Sequence, residues 1–169
     1  RGTKSVSTFD FFLAGSSRGD SAKNANNFVQ KLENLHPTDD ILDKHRWQDR
    51  VILVFSPSEQ NDLYQDQIKL FSNHSEGMVD RDLVLYKIFS NSGKYENSAT
   101  LSKTDVNSLR KRFSISQEEV VIILIGKDGG EKARKTNEIF AVQELFALID
   151  GMPMRRQEIR RKKKSSSGL

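Results

Sequence analysis

The stretch Arg50-Val-Ile-Leu-Val-Phe-Ser-Pro-Ser-Glu-Gln60 decides how the chain is read. Val51 to Phe55 is apolar at every position and rich in β-branching, the pattern of a strand buried on both faces of a parallel or mixed sheet. Ser58 then reads as the N-cap of a helix over 58–72, with Glu59 in its first turn and Leu63, Ile68 and Leu70 as apolar positions. A helix N-terminus offers unpaired N–H donors, so many α/β folds place a catalytic group where a buried strand runs into a capped helix. Here that corner holds Ser56, Pro57 and Ser58.

Upstream, residues 1–27 are rich in Gly, Ser and Asn around one apolar knot, Phe9-Asp-Phe-Phe-Leu13, and read as a flexible arm. Phe28, Val29, Leu32 and Leu35 predict a helix ended by Pro37, and Trp47 is expected to be a packing anchor. Downstream, 73–77 reads as a polar turn, 83–89 as a strand and 90–100 as a polar loop. The spacing of Val106, Leu109 and Phe113 predicts a helix over 102–113, capped by Ser102 or Thr104. Val120 to Ile125 is a second fully apolar strand, and Gly126-Lys-Asp-Gly-Gly130 is a hairpin turn leading to a return strand at about 132–137. A last helix over 141–149 turns Val142, Leu145, Phe146 and Ile149 inward; Gly151 stops it, and Pro153 can start another turn.

The predicted order is β-α-β-α-β-β-α. A right-handed crossover makes the first two strands parallel, and the Asp-Gly hairpin makes the last two antiparallel. That is a thioredoxin-like α/β fold, a mixed sheet with helices on both faces. The organisation expected is an arm at 1–27, one domain at 28–154 and a basic tail at 155–169, a length that suits one core and not two.

The formal net charge of +4 is unevenly placed. Residues 155–164 hold seven basic residues and one acidic, a local charge of +6, so the rest of the chain sums to −2. A partner argument from charge therefore concerns the tail, Arg160, Arg161, Lys162, Lys163 and Lys164 above all. The candidates are an acidic polysaccharide, an anionic lipid or a nucleic acid. Nucleic acid is the weakest, because the tail has no aromatic platform for base stacking. The competing reading is a solvated helix end that complements the helix dipole.

The chain has no cysteine, which excludes disulfides, thiol redox chemistry and cysteine-based metal sites. Ser56 and Ser58 are no substitute, since a hydroxyl neither ionises near neutral pH nor cycles through two-electron oxidation. Serine hydrolysis needs a base; His36, His45 and His74 all fall in predicted polar loops and read as surface histidines, and Gly-x-Ser-x-Gly is absent. No metal-ligand spacing or cofactor motif is present, and Gly126–Gly130 is not a phosphate loop, since it joins two strands. No apolar run approaches the roughly 18 residues of a membrane span. The start at Arg1 is expected of a processed or excised product, such as one that has lost a signal peptide. Two short motifs complete the inventory. Arg18-Gly19-Asp20 is the tripeptide integrins recognise, or a coincidence, and Asn73-His-Ser75 is a glycosylation sequon.

Topology brings one set of charges together. The second strand starts at the pole opposite Ser56, the third delivers the Gly126–Gly130 turn to that pole, and the last helix, about 20 Å long by Met154, ends there. Arg81, Asp82, Lys127, Asp128, Arg155 and Arg156 are thus expected to converge with Asp80 and Asp150. They form either an anion or protein docking site with Arg81 and Arg155 as clamps, or an ion-pair fastening of hairpin to helix end.

Trp47-x-x-Arg50 with VILVFSPS, then Asp80-Arg81-Asp82-Leu83-Val84, LIGKDGGEK at 124–132 and LFALIDGMPMRRQEI at 145–159 resemble the P-DUDES domain over about 47–160. The resemblance implies a thioredoxin-like fold and an exported location (secreted, extracellular or periplasmic), as in exported bacterial proteins and in animal extracellular proteins such as equarin and the sushi-repeat-containing proteins. Animal members are associated with matrix, adhesion and glycosaminoglycan binding. Together these readings lead us to expect a non-catalytic binding module that takes an acidic polysaccharide or a surface or matrix protein. The alternative is an enzyme of non-thiol chemistry at the pole of Arg81, Lys127, Asp128 and Arg155.

Overall fold

Six strands form one mixed sheet in the order β4-β3-β2-β1-β5-β6 in a computed structural model that describes residues 41–96 and 99–168. The elements are β1 (Arg50–Phe55), α1 (Asp62–Asn73), α2 (Ser75–Asp80), β2 (Leu83–Ile88), β3 (Gly93–Tyr95), β4 (Ala99–Leu101), α3 (Lys103–Arg112), β5 (Val121–Ile125), β6 (Glu131–Thr136), α4 (Val142–Asp150) and α5 (Pro153–Ser167). β1 runs parallel to β2 with Arg50 opposite Leu83, and antiparallel to β5 with Val51 opposite Ile125. β5 and β6 are the predicted hairpin, with Gly129 at φ +83 in its turn.

The apolar runs at β1 and β5 take the centre because both their faces are covered. Val51, Leu53, Phe55, Val121, Ile123 and Ile125 pack with Val106 and Leu109 of α3. Ile52, Val54, Ile122 and Leu124 pack on the other side with α1, α2 and α4 through Phe71, Met78, Leu145 and Ile149. At about 1.5–3 kcal/mol for each large apolar side chain enclosed, this two-sided burial is the main force placing β1 and β5 centrally.

Several expectations need correction. The segment 90–100 is not a loop throughout: Gly93–Tyr95 and Ala99–Leu101 extend the sheet beyond β2. Strands of only three residues, Gly93–Tyr95 and Ala99–Leu101, are too short to show an alternation. The first helix starts at Asp62 rather than Ser58, because Asn61 Oδ1 caps it by accepting from Tyr64 N at 3.1 Å. The Ser58 carbonyl meanwhile accepts from Ser56 Oγ at 2.9 Å. The supposed polar turn at 73–77 is a helix junction at His74, after which Ser75 begins α2. Ser102 does cap α3, in a full capping box with Asp105.

His45 is no surface residue. It is buried, with Nε2 at 2.8 Å from Tyr86 Oη and Nδ1 at 2.8 Å from Asp49 Oδ2. The basic segment forms α5, and Arg155 near its start is buried. The arm at 1–27, Arg18-Gly19-Asp20, His36 and the helix expected before Pro37 lie outside the described residues.

Candidate functional site

Strand polarity delivers the α2–β2 junction, the β5–β6 turn and the α4–α5 junction to one pole, where nine charged side chains interlock. Arg81 Nη2 and Nε donate to the two oxygens of Asp150 at 2.7 and 3.1 Å, and its Nη1 donates to the Gly77 carbonyl at 3.0 Å. The same guanidinium lies 3.9 Å above the Phe146 ring. Arg155 Nε also reaches Asp150, at 3.1 Å, while its two Nη atoms bind the Asp80 carbonyl and carboxylate. Lys127 Nζ sits 2.7 Å from Asp82 and 2.8 Å from Glu158. Arg50 faces Glu158 through both Nη atoms at 3.2 Å, and Lys162 closes the ring on Asp80 at 2.8 Å.

The electrostatics follow from these contacts. Hydrogen bonds from Lys162 and Arg155 hold the Asp80 carboxyl below the usual carboxylate range. Burial pushes Asp150 upward, but the Arg81 and Arg155 guanidiniums outweigh it, so its carboxyl is also held low. Glu158 behaves alike: burial is more than offset by hydrogen bonds from Lys127 and Arg50. Each cation of this ring thus has its counter-charge, the arrangement expected of a fastening rather than of an empty anion clamp.

The sequence-derived residues divide accordingly. Arg81, Asp82, Lys127 and Arg155 join Asp80 and Asp150 in the network. Asp128 stands beside it, paired with Lys132 at 2.6 Å and accepting from Gly130 N at 3.0 Å. Arg156 is exposed, with no ion pair to any described residue. Arg50 and Glu158 were missed, yet they join β1 to α5. An arginine closing one end of an apolar strand, and one acid inside a basic run, were the available signals.

Beside the network opens a groove of about 530 Å³, lined by Trp47, Arg50, Gly126, Lys127, Asp128, Lys132, Met152, Pro153 and Met154. Trp47 corrects the packing-anchor expectation. It is 64% exposed, its backbone sits at φ +67, and its N–H donates to the Lys127 carbonyl at 2.6 Å. A bulky residue in the left-handed region is strained, so the surroundings hold it there.

α5 presents two faces. At about 100° per residue, Arg155, Glu158 and Lys162 form the face docked on the pole. Arg156, Arg160, Lys163 and Lys164 fall on the opposite side, with Arg161 flanking; all five are exposed and unpaired with described residues.

The Ser56 corner has no chemistry of this kind. Ser56 is fully buried with its hydroxyl proton spent on a carbonyl, and its own carbonyl accepts from Arg110 Nη2 at 3.0 Å. His45 is committed to Asp49 and Tyr86, and His74 Nδ1 lies 2.9 Å from the Leu70 carbonyl. Among the described residues no three His, Asp or Glu cluster as metal ligands, and no helix is long and apolar enough to cross a membrane. Asn73 and Ser75 of the sequon are both exposed.

Solved structures with a similar backbone are a reduced 2-Cys peroxiredoxin of Plasmodium vivax and Prx1a of Plasmodium yoelii. The first has a TM-score of 0.54 at 16% identity, over 69% of this chain and 72% of that one. The second has a TM-score of 0.50 at 14% identity, over 69% and 80% respectively. The likeness is one of thioredoxin-like fold. Coiled-coil domain-containing protein 80 of Danio rerio is 26% identical over an alignment of 145 residues that covers 77% of this chain and 17% of that protein. The chain thus matches a minor part of that relative's length. A model of a domain of unknown function, DUF4174, matches residues 41–158, nearly the span of the P-DUDES resemblance. With its whole sheet and the first turns of α5 inside that match, the chain belongs to the DUF4174 family.

Proposed function

We propose that this domain is a non-catalytic binding module of an exported protein, and that it takes an acidic polysaccharide on the outer face of α5. The observation that carries the reading is the stripe of Arg156, Arg160, Lys163 and Lys164, exposed and without a carboxylate partner among the described residues. Like charges at i,i+3 and i,i+4 cost an isolated helix about 0.2–0.5 kcal/mol a pair, so the stripe works against its own helix. A sulfated polymer laid along it relieves that repulsion and releases counterions. An exported setting, expected from the resemblance, supplies such polymers. Chemistry at Arg81, Lys127, Asp128 and Arg155 would instead need an uncommitted acid or base there, and each already has its counter-charge.

The test is retention on heparin resin across a sodium chloride gradient. Truncation within α5 is a poor control, because it removes Glu158 and Lys162 from the pole. The informative variant is Arg156→Gln, Arg160→Gln, Lys163→Gln and Lys164→Gln together, verified as folded by circular dichroism. We expect the parent to elute at clearly higher salt. Equal elution of parent and variant overturns the proposal.

A further inference from the structure

We infer that the groove between Trp47 and the start of α5 is a binding site for a small amphiphilic carboxylate. The apolar body rests against Trp47, Met152 and Met154, and the carboxylate meets the first turn of α5.

Three independent features meet in this groove. The first is its wall. Trp47 and Met154 are among the few large apolar side chains exposed in the described residues, and Met152 and Pro153 continue the same surface. Its volume of about 530 Å³ lies within the range of small-molecule sites. The bond from Trp47 N–H to the Lys127 carbonyl at 2.6 Å fixes this left-handed backbone and so the indole beside the groove.

The second feature is an uncapped helix start. Met152 occupies the N-cap position of α5 and gives no side-chain hydrogen bond, and the first turn holds no acidic residue. Pro153 has no N–H, and the intrahelical ladder begins with Arg156 N donating to the Met152 carbonyl at 3.0 Å. The N–H groups of Met154 and Arg155 therefore lack helical acceptors and carry the positive end of the dipole. α5 is fifteen residues long, enough for that dipole to count.

The third feature is the balance of charge in and behind the wall. Arg50, Lys127 and Lys132 line the groove against a single lining carboxylate, Asp128. The pole behind it sets five cations (Arg50, Arg81, Lys127, Arg155, Lys162) against four carboxylates (Asp80, Asp82, Asp150, Glu158), leaving one positive charge in excess. An anion alone would leave the apolar wall wet, and a neutral oil would leave the donors unmet. A carboxylate on an apolar chain satisfies both.

Trp47 is the only tryptophan, so its emission reports directly on the groove. The full chain is titrated with octanoate, with octylamine and acetate as matched controls. Octanoate is expected to give a saturable change in emission, with half-saturation at least tenfold below either control. Met154→Glu sets a like charge at the mouth, suits a helix first turn and keeps the indole; it is expected to abolish the change. Trp47→Gly, whose backbone suits φ +67, is expected to stay folded and lose the octanoate-dependent rise in Tm. The absence of saturation, an equal response to octylamine, or an undiminished response in Met154→Glu overturns the inference. The heparin-face variant lies on the other side of α5 and is expected to bind octanoate normally, so failures of the two proposals are separable.

Discussion

Arg50 and Glu158, 108 positions apart in the chain, meet through both guanidinium Nη atoms at 3.2 Å. This pair ties the entrance of the central strand to the basic helix and makes that helix part of the fold. Arg50 is enclosed, so loss of its partner strands a buried charge. Glu158→Gln is expected to lower stability by about 2–3 kcal/mol in urea denaturation. That is less than for a fully enclosed pair, because Glu158 remains 20% exposed. A loss below about 0.5 kcal/mol would mean the contact is incidental.

The same network sets an acid limit. Asp80, Asp150 and Glu158 all have carboxyls held below their ordinary values. A depressed folded-state pKa contributes stability that is complete above the unfolded value of about 4 and disappears as pH falls through the folded value. The network therefore adds no slope to stability between pH 8 and 5, and a steep loss below about pH 4. Asp150→Asn is expected to flatten that acid limb. Denaturation midpoints from pH 7 to 3, compared between the two proteins, check the sign.

Arg110 holds the corner where related folds do chemistry. It is buried and donates to the carbonyls of Ser56, Phe89 and Ser116 at 3.0, 3.3 and 2.6 Å. Arg110→Met leaves those carbonyls short of donors, and a loss of about 3 kcal/mol is expected. Lys, with fewer and differently placed donors, should recover only part of it. Thermal and urea unfolding of both variants measure this, and equal stability of Met and Lys would contradict the assignment.

His45 and Tyr86 form a buried cross-layer hydrogen bond at 2.8 Å. Tyr86→Phe leaves His45 Nε2 unmet, and His45→Phe leaves the Tyr86 hydroxyl and the half-buried Asp49 carboxylate unmet, at about 1–3 kcal/mol for each variant. The double variant removes both polar groups, so its loss should fall short of the sum by about 1 kcal/mol or more. Strict additivity would place the energy in packing instead.

Several features were legible in the sequence for a local reason. Continuous apolar runs at 51–55 and 121–125 state two-sided burial without reference to anything else, and Asp128-Gly129 states the turn between β5 and β6. From those and the crossover rule, the parallel and antiparallel pairings and the convergence of Arg81, Lys127 and Arg155 follow. The short strands β3 and β4 were not legible, because three residues carry no period.

What the sequence by itself determined is the central sheet, the helices α1, α3 and α4 and the pole at which the charges gather, since these depend on apolar period and chain direction. Only the tertiary structure decided how each charge is spent. Glu158 turns inward to Arg50 and Lys127, Lys162 reaches Asp80, and Arg160 and Lys163 remain in water. The burial of His45 and the exposure of Trp47 were equally a matter of tertiary surroundings. A polar or aromatic side chain carries no mark of its partner, because that partner stands 41 positions away for His45 and 108 for Arg50, and only the packed chain brings them within hydrogen-bond reach.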